Sequence, residues 1–170
     1  MNVVLSTERL ILREASLDDA AFILKLVNDK GWLAYIGDRK IKTIPAAENY
    51  IQNSLLAAYK KDGFGLFLVA LKSTQKCIGM CGLVNRPNLD DLDIGFAFLE
   101  KHCKKGYGFE SAKATLEYAF NTLNLKKVLG ITLTTNVPSQ KLLEKIGLTF
   151  IKRYNDDRGE EMVMYGIEKK

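Results

Sequence analysis

Histidine occurs once in this sequence, as His102, and cysteine three times, at Cys77, Cys81 and Cys103. One imidazole and scattered thiols leave no metal-ligand spacing, so no metal is expected. An odd cysteine count also speaks against a secreted disulfide framework. Long apolar runs are missing. The longest, Leu66 to Leu71, falls far short of the roughly 20 residues a spanning helix needs. At the N-terminus Glu8, Arg9 and Arg13 arrive before any apolar core of a secretory signal develops. The expected setting is a reducing cytoplasm, with no membrane partner. Repeats, low-complexity tracts and linker-like stretches are absent as well, which points to one domain over residues 1–170.

What is present is ordinary globular material. Hydrophobic residues make up 47% and charged residues 26%, enough apolar surface for a sizeable core. The 25 basic and 20 acidic residues leave a net charge of +5. That excess suits an anionic ligand. The basic residues are dispersed and no nucleic-acid motif accompanies them, so no nucleic-acid partner is expected.

Periodicity predicts a strand over 7–13, where Leu10 and Leu12 alternate with Ile11. Ser16 followed by Asp19 marks a helix start, and 17–28 places Ala20, Ile23, Leu24 and Val27 on one stripe. A second helix is predicted from about Pro45 to Lys60 or Lys61, with Ile51, Leu55, Ala58 and Tyr59 on one face. From Gly63 the period changes to that of strands. Two are joined by a polar turn at Lys72 to Gln75, and a third covers 92–100. A helix over 108–123, a strand over 126–134, a short helix over 138–146 and a hairpin around Asn155 to Gly159 complete an α+β or mixed α/β domain.

The most informative junction is the run from Phe98 to Glu110, where a strand meets a glycine turn that opens a helix. Gly106 and Gly108 let the backbone approach a ligand, and free N–H groups at the helix start favour phosphate. Lys101, Lys104 and Lys105 add positive charge there. The competing reading is a plain strand–helix turn with solvated lysines. Two nucleotide motifs fail: Phe109-Glu110 stands where a phosphate loop needs Lys-Ser/Thr, and Ser111 stands where G-x-G-x-x-G needs its last glycine. A second cluster, Asn136 to Leu148, reads by itself as a helix with Pro138 in its first turn and Gly147 as its terminator.

In order and spacing, the two segments resemble the GNAT superfamily of N-acetyltransferases. Gly106 and Gly108 match the last two positions of R/Q-x-x-G-x-G/A, and Glu110 an acidic residue frequent just beyond. Asn136 and Ser139 with Leu142-Leu143-Glu144-Lys145-Ile146-Gly147 resemble the N-x-x-S…EK-x-GF segment of the ribosomal-protein N-terminal acetyltransferase subgroup. The likeness extends over nearly the whole chain. It departs at Cys103, where Arg or Gln is usual, at Leu148 in place of Phe, and at Leu143, where many members carry a proton-donating tyrosine. The resemblance implies a single GNAT-like α/β (α+β) domain, with a central mixed, mostly antiparallel twisted sheet and about four flanking helices.

It implies acetyl transfer from acetyl-CoA to an amine, and a cofactor site made of Phe98, Leu99, Lys104, Lys105, Gly106, Tyr107, Gly108, Phe109 and Asn136. An alkylammonium must lose a proton before it can attack, which calls for a base. Asp93, aligned with a carboxylate often found on the subgroup's central strand, is assigned to accept that proton through water. A purely structural carboxylate competes with that assignment, and Asp90 or Asp91 stays open as the base. By analogy, backbone N–H groups near Phe98 steady the carbonyl oxygen. Ser139 is expected to donate a proton to the leaving sulfur, with Asn136 orienting cofactor or serine. The acceptor is a protein N-terminal α-amine or a small-molecule amine, and the segment Gly31 to Ile44 helps to shape its site. Monomer and homodimer both stay open, and a non-catalytic acyl-CoA-binding regulatory module is the alternative.

Overall fold

A computed structural model describes residues 1–170. Its strands are β1 (Val3–Ser6), β2 (Leu10–Arg13), β3 (Leu66–Leu71), β4 (Cys77–Val84), β5 (Asp93–Phe98), β6 (Lys127–Leu133), β7 (Thr149–Asn155) and β8 (Glu161–Glu168). They form one sheet in the order β1-β2-β3-β4-β5-β6-β8-β7. Each neighbouring pair is antiparallel except β5 with β6, so the sheet is mixed and mostly antiparallel, as expected.

Strand alternation assigns the side chains of each strand to two cores. One face carries Phe67, Val69, Cys81, Leu83 and Ile94, covered by the later helices α5 (Tyr107–Asn121) and α6 (Val137–Lys145). The opposite face carries Leu68 and Met80 under the early helices α1 (Ala20–Val27), α2 (Lys30–Tyr35), α3 (Ile44–Tyr50) and α4 (Ala57–Asp62). Ile78 breaks the alternation by joining the α5 face. A bulge explains it, since Val69 pairs with Gly79 while Ala70 pairs with Cys77.

Several boundaries differ from the sequence expectation. The predicted strand 7–13 starts only at Leu10, because Thr7 turns the chain. Its Oγ1 accepts the Leu10 N–H, its own N–H donates to the Leu10 carbonyl, and β1 precedes it. The helix after Ser16 begins as a 3-10 turn, Leu17–Asp19, where the Asp19 carboxylate accepts from both the Ser16 N–H and Arg13. The predicted helix 45–61 is present but passes through a π-helical stretch, Ile51–Leu56, before α4 ends at left-handed Gly63. Helix α2 lies inside the Gly31–Ile44 segment, started by Asp29, whose side chain accepts from the Gly31 N–H. No helix is long and apolar enough to cross a membrane.

Candidate active site

The site begins as a defect in the sheet. β4 and β5 pair from Gly79↔Phe98 to Val84↔Asp93, whereas β5 and β6 meet only at Asp93↔Leu129. Beyond Asp93 the two strands diverge and leave a gap. The Leu99 N–H donates to the Ile78 carbonyl, so alternation turns the peptide groups of Phe96 and Phe98 away from β4 and into that gap. Phe98 is held by its neighbour: a Cβ on Gly79 would lie 2.5 Å from the Phe98 ring, a space only glycine leaves open.

After β5, Leu99 is buried and the chain makes a short turn, Glu100–His102, toward α5. Lys104 and Gly106 both take left-handed backbone angles, with φ of 59° and 83°. The Glu110 N–H bonds the Gly106 carbonyl at 3.0 Å. The preceding N–H groups of Tyr107, Gly108 and Phe109 therefore lack intrahelical partners, which suits them to an anion. Lys104 and Lys105 are exposed beside them.

A clamp not anticipated from sequence shapes this turn. The Glu110 carboxylate accepts from Thr7 Oγ1 (2.6 Å), the Arg9 N–H (2.8 Å) and Arg9 Nε (2.7 Å). Arg9 also donates to the Lys105 carbonyl, and its guanidinium lies 4.6 Å over the Tyr107 ring. Burial opposes ionisation of Glu110, but the bonds from Thr7 and Arg9 outweigh it and hold its carboxyl below the usual range. The clamp therefore persists at neutral pH and is lost only as pH falls through that lowered value. Replacing Glu110 by Gln is expected to weaken acetyl-CoA binding by about fivefold through lost preorganisation, measurable by calorimetry. Unchanged affinity would show that the turn holds its shape without the clamp.

Helix α6 starts beside α5. Asn136 Oδ1 accepts the Ser139 N–H at 3.2 Å, so the asparagine caps α6 and fixes its first turn. Ser139 is half-buried there, its hydroxyl outside the cap. A Cβ on Gly108 would stand 3.1 Å from Leu142 Cδ2, and Lys145 Nζ lies 4.6 Å over the Phe109 ring. The start of α5 thus packs on the second half of α6. Leu143 is fully buried against Gly130 of β6.

Asp93 stands at the apex of the gap, 1% exposed, and no other charged side chain in the chain is buried. Arg86 Nε donates to its Oδ1 at 2.8 Å. Burial pushes the carboxyl up and Arg86 pulls it back, leaving it above the ordinary range. Alternation puts Asp93 on the same face as Ala97, toward α1–α4 and opposite α5. Asp90 is exposed, and Asp91 is 4.0 Å from Lys127. On the α1–α4 side, Arg158 Nη1 of the β7–β8 turn would lie 3.8 Å from a Cβ on Gly37. The loop after α2 and the terminal hairpin therefore approach each other.

None of the three free thiols is primed as a nucleophile. Burial, then Asp29 and Glu100, raise Cys103, burial raises Cys77 as well, and it pushes Cys81 up to about 11. His102 sits half-buried in the turn, and burial with nearby lysines keeps its imidazole below the ordinary value.

Comparison with known proteins matches this arrangement. The uncharacterized N-acetyltransferase YnaD of Bacillus subtilis (strain 168) is 27% identical over 144 residues, covering 85% of this chain and 81% of that protein. An acetyltransferase structure from Agrobacterium tumefaciens superposes with a TM-score of 0.82 at 26% identity, covering 97% of this chain and 94% of its own. The ribosomal L7/L12 α-N-protein acetyltransferase RimL in complex with coenzyme A shares the fold, with a TM-score of 0.82 at 16% identity over 98% of both chains. The family model for the acetyltransferase (GNAT) domain matches residues 9–149, and the chain belongs to that family.

Proposed function

We propose that residues 1–170 work as one N-acetyltransferase domain that uses acetyl-CoA and a directly attacking amine, with Asp93 as base and Ser139 as proton donor. The observation that carries this reading is the β5–β6 gap. It has unpaired helix-start N–H groups on one face and the chain's single buried carboxylate at its apex.

Acetyl-CoA supplies an acyl carbon joined to a thiol leaving group. The N–H groups of Tyr107, Gly108 and Phe109, with Lys104 and Lys105 nearby, suit its pyrophosphate. The peptide groups of Phe96 and Phe98 face the gap, where the Phe98 N–H can meet the carbonyl oxygen as charge develops on it. Leu99 supports that strand from below. Asp93 takes the ammonium proton through water, freeing the nitrogen lone pair, and the raised carboxyl pKa makes it a better proton acceptor than an exposed aspartate.

Ser139 passes its hydroxyl proton to the departing sulfur as it regains one from the nitrogen, which became cationic on attack. Asn136 sets the serine's position through the helix cap. A thiol of pKa about 8.5 leaves without strong assistance, so Ser139→Ala is expected to lower kcat by only about tenfold. Wild-type turnover in that variant would hand the role to solvent. The acceptor is a protein N-terminal α-amine or a small amine, met in a reducing cytoplasm by a monomer or homodimer. Thiol release from acetyl-CoA across an amine panel tests the whole reading. Tight acetyl-CoA binding with no amine turned over would leave a non-catalytic acyl-CoA-binding module.

A further inference from the structure

On the face of the sheet opposite α5, Arg39 has no acidic partner. The nearest acid in sequence, Asp38, is committed elsewhere. It accepts the Lys40 N–H at 2.8 Å and faces Lys42 Nζ at 3.2 Å and Lys40 Nζ at 3.7 Å. The exposed Arg39 guanidinium instead lies 5.6 Å over the Trp32 ring and 5.7 Å over the Tyr50 ring. Two aromatic faces hold a planar cation in place while its N–H edge stays in solvent.

The platform is rigid and close to the reaction gap. Trp32 is buried in the same cluster as Leu99, which follows β5 directly. Asp29, the cap of α2, also accepts the Glu100 N–H at 3.2 Å, which ties the start of α2 to the end of β5. The loop bearing Arg39 approaches the β7–β8 turn at Gly37, across from Arg158. Arg158 is itself paired with Asp156 at 3.0 Å, so its charge is already answered. Trp32 Nε1 is the one buried side-chain nitrogen or oxygen in the chain with no hydrogen-bond partner. Buried donors of this kind ordinarily find an acceptor.

We infer that this loop selects acceptor amines that carry their own carboxylate, with Arg39 as the specificity-determining residue. The carboxylate bonds the guanidinium edge that the Trp32 and Tyr50 rings hold in place. The class includes free amino acids and peptides with an acidic residue beside the N-terminus. The inference rests on the amine-acetylation reading above. A purely structural role for Arg39, covering two rings, would leave acceptor choice unaffected.

The test compares matched pairs in the intact protein: L-α-amino acids against their carboxamides, and short peptides with Asp or Asn after the first residue. The wild type is expected to favour the acidic member by about tenfold in kcat/KM, mainly through KM, and R39Q to bring that ratio to about one. Which pair type shows the preference tells free amino acids from acidic peptides. The chain has one tryptophan, so Trp32 fluorescence gives a second readout independent of turnover. Titration with the acidic member should change it, the amide should not, and R39Q should abolish the response. Equal use of acid and amide, a preference for diamines, or an unchanged ratio in R39Q would overturn the inference. A fluorescence response without turnover would keep the carboxylate site and refute the amine-acetylation reading. Silence in both would refute the site.

Discussion

Asp93→Asn is expected to lower kcat/KM by about a hundredfold to ten-thousandfold, the range for loss of a positioned general base. The sign of the pH dependence follows from burial. The base must be ionised, so activity falls as pH drops through its folded-state pKa. That value is raised, which puts the acidic limb of the kcat/KM profile above the ordinary aspartate value of about 3.9. Arg86 is the opposing influence, so R86Q should move the limb further upward while D93N removes it. The raised pKa also means that ionised Asp93 costs stability, least at acid pH and most once pH exceeds the folded value. Asparagine lifts that cost, and Arg86, 42% exposed, stays solvated without its partner. Lost activity in D93N should therefore come with an unreduced melting temperature. An unchanged pH profile would take Asp93 out of the mechanism.

Gly82→Ala is expected to produce the largest loss of stability. A Cβ there would lie 2.0 Å from the Gly65 carbonyl oxygen and 2.9 Å from Leu66 Cα, all backbone atoms that cannot swing aside. Relief requires β3 and β4 to move apart in the middle of the sheet. The cost is about 3 kcal/mol, the upper end for overpacking. For a chain of this size that lowers Tm by about 10 °C in calorimetry. Gly31→Ala is the contrast. Its Cβ would meet only Asp29 Oδ1, at 3.9 Å within helix α2, and alanine there should be neutral or slightly stabilising. Equal melting temperatures for the two variants would show that the sheet accommodates a methyl group at Gly82.

Much of this fold is legible from local pattern. The stretch from Phe64 to Pro87 reads as two strands joined by a turn at Lys72 to Gln75, and strands form at Leu66–Leu71 and Cys77–Val84. Ala112, Leu116 and Ala119, at helical spacing, are buried in the core. The glycine turn is legible because positive φ leaves a residue signature, which Gly106 bears. Helix α2 escaped because Gly31 weakens its pattern and one buried residue, Trp32, holds it to the core. The π-helical stretch has no local signature, since Ile51 and Leu55 keep an ordinary helical spacing. At the site, the pairing of Arg9 with Glu110 joins residues 101 apart in sequence, a distance over which periodicity carries no information. Asp93 entered through family likeness alone. Its burial against Arg86 is a property of the folded sheet.

The single rung between β5 and β6 has a mechanical meaning as well. It divides the sheet into two hydrogen-bonded rafts, β1 to β5 and β6 with β8 and β7, with scarcely any ladder between them. Cohesion across that seam falls to side chains, chiefly Ala112, Leu116 and Ala119 of α5, which share one buried cluster with Phe67 and Ile94 of the first raft and Val128 and Val163 of the second. Helix α5 is thus a spline laid over a joint. A molecule wedged between β5 and β6 would restore the missing backbone bonds and couple two halves that otherwise answer to strain separately.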